Sequence, residues 1–201
     1  MKKRDVLFLP IVWLALTPLM FAGTSGPENQ LKLIPQPKEV RVQQGSFRVK
    51  PTTRILIEFG HQDEDRIAAE TLAEEIKDQS GMNLNITGAK PESKTEAREE
   101  AGSIVLARLQ DANVREFLES KGLKAESIGD QGYLLFSDSS HLIVAANTGQ
   151  GLFYGVQTLR QLLRPTGKGL LCPAVGIRDW PGQTEMCIRD RAWIDSERPR
   201  R

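Results

Sequence analysis

GYLLFSDSSHLIVAANTGQGLFYGVQTLRQLLRP, residues 132–165, is the stretch whose reading decides the fold. It holds two apolar runs of strand length, Gly132-Tyr133-Leu134-Leu135-Phe136 and His141-Leu142-Ile143-Val144-Ala145-Ala146. Between them, Asp138-Ser139-Ser140 carries the side-chain chemistry of a tight turn, so the two runs are expected to pair antiparallel. After them, Leu152, Val156, Leu159 and Leu163 recur at helical spacing while Gln157, Arg160, Gln161 and Arg164 face the other way. Gly149-Gln150-Gly151 opens this helix and Pro165 ends it.

Working outward, Ser103 to Leu109 reads as a strand, and Val114, Phe117 and Leu118 mark a short helix that Gly122 terminates. An earlier helix begins at Asp63, with an acidic first turn (Asp63, Glu64, Asp65) suited to the positive end of its dipole. Its apolar face is Ala68, Leu72 and Ile76, and Gly81 is its stop. Arg54 to Phe59 and Met82 to Thr87 flank it as strands. Glu39–Val42 and Ser46–Val49 alternate polar and apolar residues around Gln43-Gln44-Gly45, which reads as a hairpin. Leu33-Ile34-Pro35-Gln36-Pro37 is stiff and extended, and Lys90 to Gly102 is a polar surface excursion. Leu170 to Asp179 forms a last strand running into Trp180-Pro181. The expected class is α+β, a mostly antiparallel or mixed sheet with helices packed on one face. No internal repeat is visible.

The net charge of +1, from 27 basic and 26 acidic residues, supplies no field to draw the chain to nucleic acid or to an anionic membrane. Lys2, Lys3 and Arg4 precede an apolar run from Val6 to Leu16, the pattern of an export signal over residues 1–25. The run continues weakly through Leu19, Met20, Phe21 and Ala22, and Pro10 and Pro18 interrupt the whole stretch, which argues against a membrane anchor. Export would place Cys172 and Cys187 in an oxidising compartment, although two incidental thiols is the favoured reading.

Each constellation with catalytic chemistry also has a plainer explanation. Gly149-x-Gly151-x-x-x-Gly155 follows a strand and opens a helix, a position suited to phosphate. No acidic residue stands roughly 20 positions on in a parallel unit, so close helix packing is the better account. The acid pairs in Asp63-Glu64-Asp65, Glu74-Glu75 and Glu99-Glu100 suggest a glycosidase but read as solvated. Ser140 and His141 are neighbours whose side chains point apart on a strand, and no nucleophile elbow occurs. His61 and His141 stand without metal-ligand spacing, and Asn85-Ile86-Thr87 matches a glycosylation sequon inside a strand. Trp180 and, less so, Tyr133 have faces that would stack on a sugar ring, against packing as the default. The sequence therefore assigns no catalytic, cofactor-binding or metal residue, and no cofactor.

Two separated motifs carry a likeness: Leu33-Ile34-Pro35-Gln36-Pro37-Lys38-Glu39-Val40, and Asn147 through Leu163 with its Gly149-Gln150-Gly151-Leu152-Phe153-Tyr154-Gly155 core. Together with the final Ile177-Arg178-Asp179-Trp180-Pro181 they resemble the non-catalytic N-terminal domain of family-20 β-N-acetylhexosaminidases. The resemblance implies exported hydrolysis of terminal N-acetylhexosamine from glycans by a separate (β/α)8 barrel. There an Asp-Glu pair works with the substrate's own acetamido oxygen as nucleophile. No position here matches either acid. A barrel takes roughly 250 residues, so residues 26–182 are expected to be the accessory domain alone, with its barrel and the glycan as partners. Residues 183–201, with Thr184 to Arg191 departing from the family pattern, read as a foreign tail, a native basic tail being the alternative. Competing expectations are a free-standing carbohydrate-binding or scaffold module, or the accessory domain of an O-GlcNAc hydrolase or α-glucuronidase. The implied location is periplasmic or extracellular.

Overall fold

The computed structural model describes residues 31–58, 60–88, 102–167 and 169–182, which form eight strands and three helices. In chain order these are β1 (Glu39–Val49), β2 (Arg54–Ile57), α1 (Gln62–Ser80), β3 (Asn85–Gly88), β4 (Ile104–Arg108) and α2 (Ala112–Ser120). Then follow β5 (Tyr133–Ser137), β6 (Leu142–Ala146), α3 (Gly149–Leu162), β7 (Arg164–Thr166) and β8 (Gly169–Asp179). The expected leader, most of the 90–102 excursion and the 183–201 tail lie outside the described residues.

All strands belong to one sheet ordered β1-β8-β5-β6-β4-β2-β3, with β7 beside β8. β5 and β6 pair antiparallel through the Asp138–Ser140 turn, as their sequence implies. The other half of the sheet is parallel, β3 on β2, β2 on β4 and β4 on β6. The cause is connectivity: a helix between two strands carries the chain back to the end from which it started, as α1 does between β2 and β3. The result is the mixed α+β sheet expected.

The hairpin expected from Glu39 to Val49 is corrected. Both halves belong to one strand that pairs antiparallel with β8, Val42 opposite Val175 and Ser46 opposite Pro173. The intervening Gln43-Gln44-Gly45 is a bulge, not a turn. Pro173 has no N–H to give the ladder, and Gly45 takes the φ of 108° that the kink requires.

The central strands are buried on both faces, which is why they read as continuous apolar runs. On one face, Leu142, Val144 and Ala146 pack with Ala69, Leu72 and Ile76 of α1 and with Leu152, Val156 and Leu159 of α3. On the other, Ile143 and Ala145 pack with Leu118 of α2 and with Phe136 and Leu134. Two helices thus share a face, while the short α2 covers part of the reverse side. Burying a Leu such as Leu72 or Leu118 contributes on the order of 2 kcal/mol. Among the described residues no helix is long and apolar enough to cross a membrane.

Candidate functional site

The densest charged cluster lies where β2, β4 and β6 end and the three helices begin. Arg108, the last residue of β4, is buried and faces the first turn of α1. Its Nη2 donates to Asp65 Oδ1 at 2.7 Å and its Nε to Asp65 Oδ2 at 2.9 Å. Nη2 also reaches Glu64 at 2.8 Å, and Nη1 donates to the Asn147 carbonyl at 3.1 Å. The Asp63–Asp65 acids were expected to be solvated; Asp65 is instead fully buried, because an arginine 43 positions away neutralises it. Glu58, just past β2, accepts a bond from the Arg108 backbone N–H. Burial pushes its carboxyl up to about 7, and neighbouring Asp111 adds to the rise. The sequence offered only one hint of this cluster, charged residues abutting buried apolar runs.

Glu75 departs from solvation too. Gln79 and then Arg160 hold its carboxyl below the ordinary range, with Arg160 Nε donating at 2.6 Å. Glu74 stays exposed, and Glu99 and Glu100 lie outside the described residues. Asp65 and Glu75 are thus structural partners of arginines.

The glycines at the start of α3 serve packing. A Cβ on Gly151 would stand 2.5 Å from the Gly132 carbonyl, and one on Gly155 would stand 2.4 Å from Val144 Cγ1. The seat an anion would take is filled from within: Thr148 Oγ1 accepts from the Gly151 N–H at 3.2 Å, and the Asp65–Arg108 pair abuts Gly149. β6 and β8 do not pair, so the parallel unit of a dinucleotide site is missing around α3.

His141 and Ser140 work in the β5–β6 turn. Asp138 accepts from both backbone N–H groups at 2.7 Å and pairs with His141 Nδ1 at 3.1 Å. Partial burial raises the Asp138 carboxyl, but those two N–H groups and the imidazole hold it below its ordinary value. Tyr133 is buried, its hydroxyl 2.6 Å from Thr158 Oγ1, and burial drives its pKa upward. Cys172 is a free, buried thiol, and Cys187 lies outside the described residues. Asn85 is exposed on β3 at the sheet's edge. The His61 ring lies 3.9 Å from Glu64. No group of acids, histidines and cysteines fit for a metal occurs among the described residues.

Two of the depressions among the described residues are large enough to consider. The larger, about 670 Å³, gathers Arg48, Lys50, Thr53 and Ser103. The smaller, about 330 Å³, is bounded by Ile34–Lys38, by Tyr154 and Gln161 on α3, and by Asp179–Gly182. Gln161 grips the backbone of Ile34 from both sides, accepting from its N–H and donating to its carbonyl, each at 2.9 Å. Lys38 N–H in turn donates to Asp179 Oδ1 at 3.2 Å. Trp180 stands at the rim with the Arg178 guanidinium 4.2 Å from its ring centroid and Lys38 Nζ at 5.6 Å. Arg178 is itself fixed by Glu39 at 2.7 Å and by the Lys124 carbonyl at 2.8 Å. The indole is therefore a packed cation partner.

Residues 30–180 match the family model described as glycosyl hydrolase family 20, domain 2. The fold is similar to that of the GH20 β-N-acetylhexosaminidase of Streptomyces coelicolor A3(2), at 26% identity and a TM-score of 0.54, over 74% of this chain and 26% of that one. It is also similar to a mutant Streptomyces plicatus β-hexosaminidase solved with its product GlcNAc, at 27% identity and TM-score 0.54, over 73% and 26% of the two chains. The chitobiase of Flavobacterium johnsoniae, at 21% identity and TM-score 0.53 over 76% and 21%, shares the fold. The chain spans about a quarter of the length of the first two.

Proposed function

This chain belongs to glycosyl hydrolase family 20, domain 2, and we propose on that premise that it is the supporting domain of an exported β-N-acetylhexosaminidase. Hydrolysis of terminal N-acetylhexosamine then belongs to a (β/α)8 barrel elsewhere in the full-length protein, and this domain's task is to brace it. The observation that carries the reading is the match over residues 30–180, which takes in every strand and helix described. The state of the acids supports it, since Asp65 is neutralised by Arg108 and Glu75 by Arg160. A free-standing carbohydrate-binding module draws no support from Trp180, whose ring engages Arg178.

Residues 1–25 are the export leader in this scheme, 26–182 the supporting domain, and 183–201 a segment foreign to it. The location is periplasmic or extracellular, which N-terminal sequencing of the mature protein tests: a start near residue 26 is expected. The central experiment re-reads the coding sequence from codon 181 through codon 201 and onward, from independent source DNA. The protein it encodes is then assayed with p-nitrophenyl N-acetyl-β-D-glucosaminide beside the 201-residue chain. Hydrolysis by the longer protein alone is expected. Turnover by the 201-residue chain would end the supporting-domain reading.

A further inference from the structure

At the end of β1 remote from Lys38, the larger depression collects positive charge. Phe47 and Val49 point into the core, so Ser46 and Arg48, alternating with them, take the opposite face of the strand. Lys50 follows, and the Thr53 hydroxyl accepts its backbone N–H at 3.0 Å, closing the turn that brings Arg54 to the same depression. Arg48 and Lys50 are both exposed, and among the described residues neither side chain has a hydrogen bond or a salt bridge. Arg66, Arg108, Arg160 and Arg178, by contrast, each pair with a carboxylate. Among the described residues no carboxylate lines the depression, so a chain of net charge +1 concentrates cations there. Arg164 of β7 extends the positive surface: it stands opposite Leu171, which stands opposite Arg48, and both arginines therefore share one face, about 10 Å apart.

Like charges gathered without a counter-charge repel, and an anion entering among them removes that cost. The Arg48 guanidinium is a fork suited to two oxygens of one group, and Lys50 adds a compact second charge. Ser46, Thr53 and Ser139 line the same space with hydroxyls, and Thr53, having accepted the Lys50 N–H, keeps its own O–H to donate. The volume of about 670 Å³ lies within the range of roughly 300 to 1,000 Å³ usual for ligand sites. It far exceeds what a lone sulfate fills, since a water molecule takes up only about 30 Å³.

We propose that this depression binds the sulfate or carboxylate group of an acidic oligosaccharide, with Arg48 gripping the oxyanion, Lys50 beside it and the hydroxyls meeting those of the sugar. The oxyanion follows from the depression itself; the sugar rests on the supporting-domain reading, in which the whole protein works on glycans. Recognition is by charge and not by ring stacking, because Phe47 in the lining is buried. The length of β1, about 30 Å, separates this site from the groove at Ile34.

The test titrates the 201-residue chain calorimetrically with a chondroitin sulfate tetrasaccharide, with the uncharged N-acetylglucosamine tetramer and with sodium sulfate, at low and at physiological salt. The sulfated tetrasaccharide should bind, more weakly as salt rises, and the uncharged one should not. Arg48→Gln and Lys50→Gln should each weaken binding about tenfold and, both side chains being exposed, leave the thermal midpoint unchanged. Arg115→Gln removes an exposed charge on α2 outside the depression and should leave binding as it was. An equal loss in all three variants means diffuse attraction and overturns the proposal, as does no binding of the sulfated tetrasaccharide at low salt. Sodium sulfate bound as tightly as the tetrasaccharide reduces the site to one for a small anion and overturns the sugar. A single-stranded oligonucleotide of matched charge bound more tightly through Arg48 makes the occupant a nucleic acid and also overturns it. Binding of the sulfated tetrasaccharide through Arg48, in a protein whose complete coding sequence yields no hydrolase, upholds the site and removes the supporting-domain reading.

Discussion

Arg108 and Asp65 face each other inside the protein, Nη2 to Oδ1 at 2.7 Å, so that the last residue of β4 is locked to the first turn of α1. The pair sits on the parallel half of the sheet, and the Asn147 carbonyl bonded to Arg108 brings the start of α3 into the same junction. Three separate crossings of the chain thereby share one guanidinium.

Removing the cation alone leaves a buried carboxylate without a counter-charge. Arg108→Met should cost about 3 to 5 kcal/mol in urea denaturation, whereas Arg108→Met with Asp65→Leu should recover most of it, because a buried pair as a whole contributes little net stability. A single-variant loss below about 1 kcal/mol, the scale of an exposed pair, would show that solvent reaches the junction.

Glu58 makes stability depend on pH in the opposite sense to a salt-bridged acid. Its carboxyl is raised from 4.5 to about 7, chiefly by burial, so the folded state binds the proton more tightly than the unfolded state. The contribution is complete below pH 4.5 and drains away as pH rises through about 7. Glu58→Gln keeps an acceptor for the Arg108 N–H and removes the titration. The variant should therefore gain on the parent between those limits, by about 1 to 2 kcal/mol once the half-exposed state of the carboxyl is discounted. Parallel stability curves from pH 4 to 8 would rule the effect out.

Gly155 is where α3 comes closest to the sheet. A methyl group there meets Val144 Cγ1 at 2.4 Å and the Tyr133 ring at 3.1 Å. Gly155→Ala should destabilise by about 1 to 3 kcal/mol through overpacking, outweighing the roughly 1 kcal/mol that alanine gains in helix propensity. Val144→Ala opens the space, so the double variant should lose less than the sum of the single ones. Strict additivity in thermal melts would place the strain elsewhere.

Helices α1 and α3 were legible because their apolar residues recur with the helical period over three or more turns, and the β5–β6 turn because Asp138 is followed by two serines. The bulge in β1 was not, since Gln43-Gln44-Gly45 is locally indistinguishable from a turn and the residue that shapes it, Pro173, lies far along the chain. The place of α2 was signalled but weakly: strands such as Leu142–Ala146, apolar at every position, need cover on both faces. Asp65 and Arg108 each looked like an ordinary solvated charge, and only their meeting across the fold makes them a buried pair. The groove was the least visible feature, being made by the proximity of Ile34 and Lys38 to Asp179 and Trp180, which lie far apart along the chain.

Cys172 should be chemically silent in the folded protein. It lies on β8 within the main core, and the loss of water around its sulfur pushes the thiol up to about 12, the thiolate being the form that burial disfavours. In a Cys187→Ser variant it is the sole thiol, so Ellman's reagent at pH 8 reports on it alone. Native protein should react at the rate at which the core opens, and the rate should rise with urea in step with global unfolding, because Cys172 is fully buried in the main core and its strand is held by β1 along its length. Rapid stoichiometric labelling without denaturant would mean that β8 separates from β1 or β7 while the rest of the sheet stays folded, and the groove that β8 helps to frame would then share that freedom.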